Sequence, residues 1–285
     1  MTDDALAHYR TWIGRTQSQD DLATAYPARA LAATLDLDES PPAAGDEVPP
    51  YWHMLYFLEA APASRIGADG HPQRGGFLPP VALPRRMYAG TRLEFGRPLR
   101  IGERIRREST IKSVEGKTGA SGDMVFVTIR HVVSGEDGPA LIEEQDVVYR
   151  EAPAAGAKPA APKPAPVDAT WRRVVTPDPV MLFRLSALLF VGHRIHYDLP
   201  YVTGVEGYPG LLVHGPLMGL LQLELARRSN PSKRVARYDF RALSPVFHTA
   251  PFSVAARAEA DGTVTTWIAN GAGGLAQQGK VAFAA

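Results

Sequence analysis

The sequence predicts an α+β fold built twice over in one chain, each copy a long apolar helix packed on an antiparallel meander. Three observations carry this expectation. Strand-like runs at 92–95, 104–114, 124–133 and 141–149 return in the same order at 235–243, 252–260, 264–270 and 275–283. One strongly apolar helical segment precedes each set. The two sets also open alike, with Arg92 and Phe95 in the first and Arg237 and Phe240 in the second at equal spacing, then a proline and a strand rich in basic residues. An internal duplication accounts for all three.

The runs read as strands because they are β-branched or alternate in polarity, and because glycine-bearing turns bound them. These turns are "EGKTGASGD" and "SGEDGP" in the first half, "DG" and "NGAGG" in the second. The helix of the second half spans 215–231. Pro216 suits its first turn, Arg227 and Arg228 suit its last, and Pro231 follows its end. Leu217, Met218, Leu220, Leu221, Leu223 and Leu225 occupy nearly every face, so this helix is expected to be buried on most sides. "YWHMLYFLEA", 51–60, has the same place and apolar character in the first half. Between the halves, "EAPAAGAKPAAPKPAPVDAT", 151–170, favours extended, solvated chain. The expected division is therefore 1–152, a linker at 153–168, and 169–285.

Composition narrows the function. With 31 basic and 30 acidic residues the net charge is +1, which gives no general reason to bind nucleic acid or an anionic membrane. Cysteine is absent, so disulfides, thiolate metal sites and thiol nucleophiles are excluded. The opening "MTDDALAHYRTW" is acidic where a signal peptide is basic, and no apolar run reaches the ~20 residues of a membrane span. A cytoplasmic location is expected.

The stretch "LLFVGHRIHYDLPY", 188–201, carries most of the chemistry. Its residues alone leave His196 either an acid/base, since imidazole titrates near neutrality, or a histidine satisfied by backbone. His193 and His196 suggest a metal pair, but only Asp198 stands near them as a further ligand type, so no metal is expected. Gly215 opens the buried helix, where unpaired amides favour developing negative charge, or it is simply a helix-start glycine. His214 either caps that helix or touches a ligand. Arg184 and Arg194 could pair with a carboxylate, or be ordinary surface arginines.

The segment 183–220 resembles the hydratase motif of the MaoC-like enoyl-CoA hydratases. Phe183 and Ser186 open the match, His196 takes the catalytic histidine position, Asp198 the acidic one and His214-Gly215 the His-Gly pair. "SALLFVGHRIHYD" and "GYPGLLVHGPL" are closer still to the acyl-thioester dehydratase and mesaconyl-CoA hydratase branch. "WHMLYFL" and the stretch 67–103, from "GADGHPQRGG" to "RPLRIGE", resemble the non-catalytic N-terminal dehydratase-like domain of the same two-domain enzymes. The resemblance implies a double hotdog fold and a 2-enoyl-CoA thioester substrate to whose double bond water is reversibly added. It points to a C4–C5 dicarboxylic acyl group such as mesaconyl, 3-methylfumaryl or itaconyl. It further implies His196 as acid/base, Gly215 as thioester polariser and a homodimer needing no cofactor beyond the CoA of its substrate. His193, His214, Arg194, Asp198 and Arg184 become substrate-binding candidates, joined by Arg241 of "RALSP" as a phosphate partner. Arg85 and Arg86 are further cations that could contribute.

One position departs from the pattern. Five residues before His196, where the family has Asp or an amide, stands Val191. Valine neither accepts nor donates a proton. His196 could act alone with water held by a neighbour such as His193. Alternatively the chain binds acyl-thioesters without turning them over, or hydrolyses them on the same scaffold.

Overall fold

Strand pairing across the seam between the halves makes one ten-stranded antiparallel sheet out of the two expected meanders. The structure is a computed structural model that describes residues 2–119, 122–152 and 161–284; residues 153–160 of the expected linker lie outside the described residues. The first half runs α1 (Asp3–Arg10), β1 (Thr16–Leu22), α2 (Ala25–Thr34), β2 (Arg85–Phe95), β3 (Arg104–Gly119), β4 (Gly122–Gly135) and β5 (Gly138–Arg150). The second runs β6 (Trp171–Val175), α3 (Pro179–Leu188), α4 (Leu199–Gly204), α5 (Gly215–Arg228), β7 (Val235–Ala242), β8 (Phe252–Ala258), β9 (Val264–Ala269) and β10 (Leu275–Phe283). Sheet order is β1-β3-β4-β5-β2-β7-β10-β9-β8-β6. Outward from the seam, the first half reads β2, β5, β4, β3, β1 and the second β7, β10, β9, β8, β6, which is the same order twice.

The seam joins the two segments that open alike in sequence. β2 and β7 pair antiparallel, with Leu93 opposite Tyr238 and Glu94 opposite Arg237. The last pair closes an ion pair at 3.2 Å between two exposed side chains, so it contributes little energy but fits the register. Strand faces follow the period of two. Along β4, Val125, Val127, Ile129, His131 and Val133 are buried and their neighbours are not.

The long helix expected at 51–60 does not form. Trp52–Leu55 make a single 3-10 turn, flanked by Tyr51 at φ 74° and Phe57 at φ 58°, both left-handed. Pro49 and Pro50 precede it, so helical backbone cannot enter from that side. The apolar character serves contacts across the seam instead. Tyr51 lies edge-on to Tyr238 and Phe240, and the Trp52 indole donates to buried Glu224 of α5 at 2.9 Å.

α5 is thus the one long central helix, buried as expected along Leu217, Leu220, Leu221 and Leu223. It packs within a core that takes Leu31, Trp52 and Leu93 from the first half together with Tyr238, Phe252 and Ile268 from the second. A smaller core under β3, β4 and β5 gathers Tyr9, Ile111, Val125 and Tyr149. Arg227 and Arg228 also donate to Glu224, at 2.9 and 2.8 Å, so its buried carboxylate is paired and burial does not drive it to take up a proton.

Trp52→Phe keeps most of the ring volume but removes one donor to that carboxylate. The expected outcome is a loss of about 1.5–3 kcal/mol in urea unfolding with an unchanged m-value. An unaltered midpoint would show that Glu224 does not depend on Trp52.

Candidate functional site

α3 delivers the histidine segment. Asp178 caps its N-terminus, accepting from Val180 and Met181 amides at 2.7 and 3.0 Å, and Pro179 occupies its first turn. The helix stops in a Schellman arrangement. Phe190 adopts φ 50°, its amide donates to Ala187 O, and the Val191 amide donates to Ser186 O at 2.8 Å. The turn swings the chain into a 3-10 turn, Arg194–His196, that lines a cleft of about 1490 Å³ between the halves.

Four histidines form a file along that cleft. The His71 and His193 rings are 3.9 Å apart between centroids, His193 and His196 meet edge to face at 5.5 Å, and His196 stacks on His214 at 3.7 Å. His196 Nδ1 lies 2.8 Å from Leu212 O. A carbonyl only accepts, so Nδ1 carries the proton and Nε2 of the neutral ring holds a free lone pair. The Leu212 amide donates back to Ile195 O at 3.0 Å, which fixes the ring's support. Burial drives the His196 pKa down to about 4 against the ordinary 6.5, with the Leu212 hydrogen bond opposing the shift. Burial and the neighbouring imidazoles also push the His193 and His214 pKa values well below the ordinary 6.5. The file is neutral at physiological pH.

His214 stands at the N-cap of α5, yet its side chain makes no cap bond; its Nε2 lies 2.9 Å from Ser186 Oγ. Its ring stacks on that of His196. Gly215 follows, at the cleft wall, with its amide among the unpaired donors of the helix start. A Cβ there would meet Tyr88 at 3.6 Å, an ordinary contact, so protein packing alone does not demand glycine.

Val191 lines the cleft five residues before His196 and offers it no polar side-chain atom. The remaining expected residues divide. Arg194 donates to Asp198 at 2.9 Å and to Ala68 O at 3.1 Å and lies over the Tyr201 ring at 4.0 Å. Asp198 in turn caps α4 by accepting the Tyr201 amide at 3.0 Å. These two are committed to each other and to the fold. Arg184 and Arg241 are exposed and are not among the cleft-lining residues.

The cleft has cations of its own. Arg74, Arg85, Arg86, Arg107 and Arg150 line it. Arg85 is engaged by Glu206 at 3.1 Å and Tyr208 at 3.1 Å, and Arg74 by backbone carbonyls including Pro84 O at 2.7 Å. Arg86 sits near enough to His71 and His193 to disfavour their charged forms.

Asp69 and His71 enter this site from the first half, where sequence reading assigned them no role. The expectation that only Asp198 stands near the histidine pair as a further ligand type fails for this reason: Asp69, His71 and His193 each offer one ligand atom within 4.8 Å of the others. A divalent cation needs such convergence. Here, however, Asp69 Oδ2 and His71 Nδ1 are spent on each other at 3.0 Å. The local signal was an Asp-Gly-His turn bracketed by Gly67 and Gly70, which says nothing by itself about the distant strand or loop it meets.

The chain is similar to known proteins in sequence and in fold. The family profile described as hydroxyacyl-thioester dehydratase type 2 matches residues 51–248. A curated relative from Chloroflexus aurantiacus, mesaconyl-C(4)-CoA hydratase, is 47% identical over 258 residues, covering 90% of this chain and 91% of that one. Among solved structures, HtdX of Mycobacterium tuberculosis is similar at TM-score 0.64 and 18% identity, over 94% of this chain and 99% of that one. A second M. tuberculosis protein, described as having a double hotdog fold, matches at TM-score 0.56 and 14% identity, over 95% and 96% of the two chains. The fold is the double hotdog that the family resemblance implied.

Depressed histidines make acid costly. An unfolded chain protonates these rings near 6.5, whereas His196 folded resists until about 4, so the unfolded state binds more protons in that window. Stability is therefore expected to fall as pH drops from 6.5 towards 4, and an NMR titration should place the His196 ring midpoint near 4. A midpoint near 6.5 would refute the desolvation of this ring.

Proposed function

Because this chain belongs to the hydroxyacyl-thioester dehydratase type 2 family, we propose that it reversibly adds water to the double bond of a 2-enoyl-CoA bearing a second carboxylate, of the mesaconyl-C4 type. It is a hydro-lyase. The observation that carries the reading is His196, neutral and held by Leu212 so that its free Nε2 serves a cleft opened by the amide end of α5.

The chemistry needs a base for water, an acid for the α-carbon and donors to the thioester oxygen. His196 Nε2 takes one proton from water as the water oxygen bonds to the β-carbon. Electron density moves onto the thioester oxygen, where the Gly215 amide at the helix start stabilises it. The imidazolium then gives that proton to the α-carbon. One O–H bond and the π bond of the C=C break, one C–O and one C–H bond form, and His196 ends as it began. The low pKa suits this cycle, since the resting ring is unprotonated and its conjugate acid is strong. No cofactor beyond the CoA of the substrate is required.

Arg86 supplies the carboxylate preference. It lines the cleft beside His71 and His193, and a half-buried guanidinium among neutral rings favours an anionic guest. A homodimer remains part of this reading through the family resemblance, and a cytoplasmic location through the absence of cysteine. Val191 favours a second reading, a chain that binds acyl-thioesters without converting them.

Loss of enoyl absorbance with mesaconyl-C4-CoA tests the main reading, and His196→Ala should abolish it. Ligand binding without any turnover would favour the second. The kcat/KM profile should stay flat down to about pH 5, with its acid limb near 4. Arg86→Gln should raise KM for mesaconyl-C4-CoA by about tenfold and that for crotonyl-CoA far less. Equal effects on both esters would remove Arg86 from substrate choice.

A further inference from the structure

We infer that His71, oriented by Asp69 and delivered from the other half of the chain, holds the attacking water in the place that Val191 leaves without a polar group. The inference rests on the hydratase reading. A water that gives one proton to His196 must be held by its second hydrogen, or its lone pair is not aimed at the β-carbon. Asp or an amide at position 191 would supply that acceptor, and Val191 does not.

Loop 67–73 is built to bring an acceptor there. The Gly67 amide donates to His71 O at 2.7 Å and the Gly70 amide to Gly67 O at 2.9 Å, closing a tight turn. This turn lies flush on the one that carries Val191. A Cβ on Gly70 would fall 1.8 Å from Gly192 O, and one on Gly192 would fall 2.6 Å from Gly70 O. Gly70 also adopts φ 87°, which disfavours any other residue. The Arg194 amide donates to Asp69 O at 2.9 Å and its guanidinium to Ala68 O, so the motif itself clamps the loop.

Within the loop the side chains are set as a dyad. Asp69 Oδ1 accepts the His71 amide at 3.0 Å, and Oδ2 lies 3.0 Å from His71 Nδ1. The ionised carboxylate only accepts, so Nδ1 carries the proton and His71 Nε2 keeps its lone pair. His71, His193, Val191 and His196 line the same cleft. Two neutral imidazoles thus present lone pairs to one region, and no proton need be gained by His71. During hydration the second water hydrogen stays on the new hydroxyl, hydrogen-bonded to His71 Nε2. His71 touches the reacting water and is a catalytic residue, whereas Asp69 is a positioning residue.

The test uses the full chain and mesaconyl-C4-CoA, with circular dichroism and thermal melts to confirm folding of each variant. His71→Gln should lower kcat by about 10²-fold with KM within about twofold. Asp69→Asn, which removes the orienting charge, should lower kcat by about tenfold. Adding Val191→Asn to His71→Gln should recover about tenfold or more, because an amide returns to the vacant position. Undiminished kcat in His71→Gln, or no recovery in the double variant, overturns the role of His71 while leaving the hydratase reading intact. Activity lost to a chelator and restored by Zn²⁺ also overturns it, by assigning the cluster to a metal. A wild-type chain without turnover overturns the hydratase reading first, and this role with it.

Discussion

The antiparallel pairing of β2 with β7 is the constraint on which the rest of the molecule depends. It fuses two five-stranded sheets into one and brings β2 of the first against α5, which packs on the strands of the second. In the first half Pro49 and Pro50 stand where an equal helix would begin. Its apolar segment becomes a short turn whose aromatic side chains reach α5 and the seam instead. An isolated copy would leave a strand edge and an apolar helix face uncovered, and the duplication covers both within one chain.

The same seam creates the chemistry. A cleft between the halves is lined by the histidine motif from one side and by loop 67–73 and β2 from the other. Desolvation there keeps the imidazoles unprotonated, which suits a site that must accept a proton and then release it to carbon. Cations reach the cleft mostly from the first half, through Arg74, Arg85, Arg86 and Arg107. The half that lacks the catalytic motif thus contributes charge, shape and a second imidazole, which is more than a wall.

Much of this was legible in the residues. The strand runs, their repetition and the boundaries of α5 agree with the structure because period, caps and turns are local, although β2 begins at Arg85, well before the expected 92, and β3 runs on to Gly119 past the expected 114. Edge strands β1 and β6 escaped notice. β1 is the polar run "TQSQDDL", exposed nearly throughout, and nothing in such a pattern marks a strand until a partner supplies its hydrogen bonds. Arg194 and Asp198 looked free in sequence, yet they sit four residues apart around a 3-10 turn and satisfy each other.

The sequence by itself determined the repeated α+β pattern, the buried helix after His214-Gly215, the histidine motif and the valine that interrupts it. Each is written within a span of a few turns, where propensity and periodicity act. Only the tertiary structure decided that α5 packs on the second half's strands and, across the seam, on β2, that Arg184 and Arg241 stay exposed and off the cleft wall, and that Asp69 and His71 stand beside His193. Those outcomes depend on the register of strands from opposite halves and on two glycines that let distant turns touch. No local signal encodes such contacts, because the free energy that selects them comes from burying both halves against each other at once.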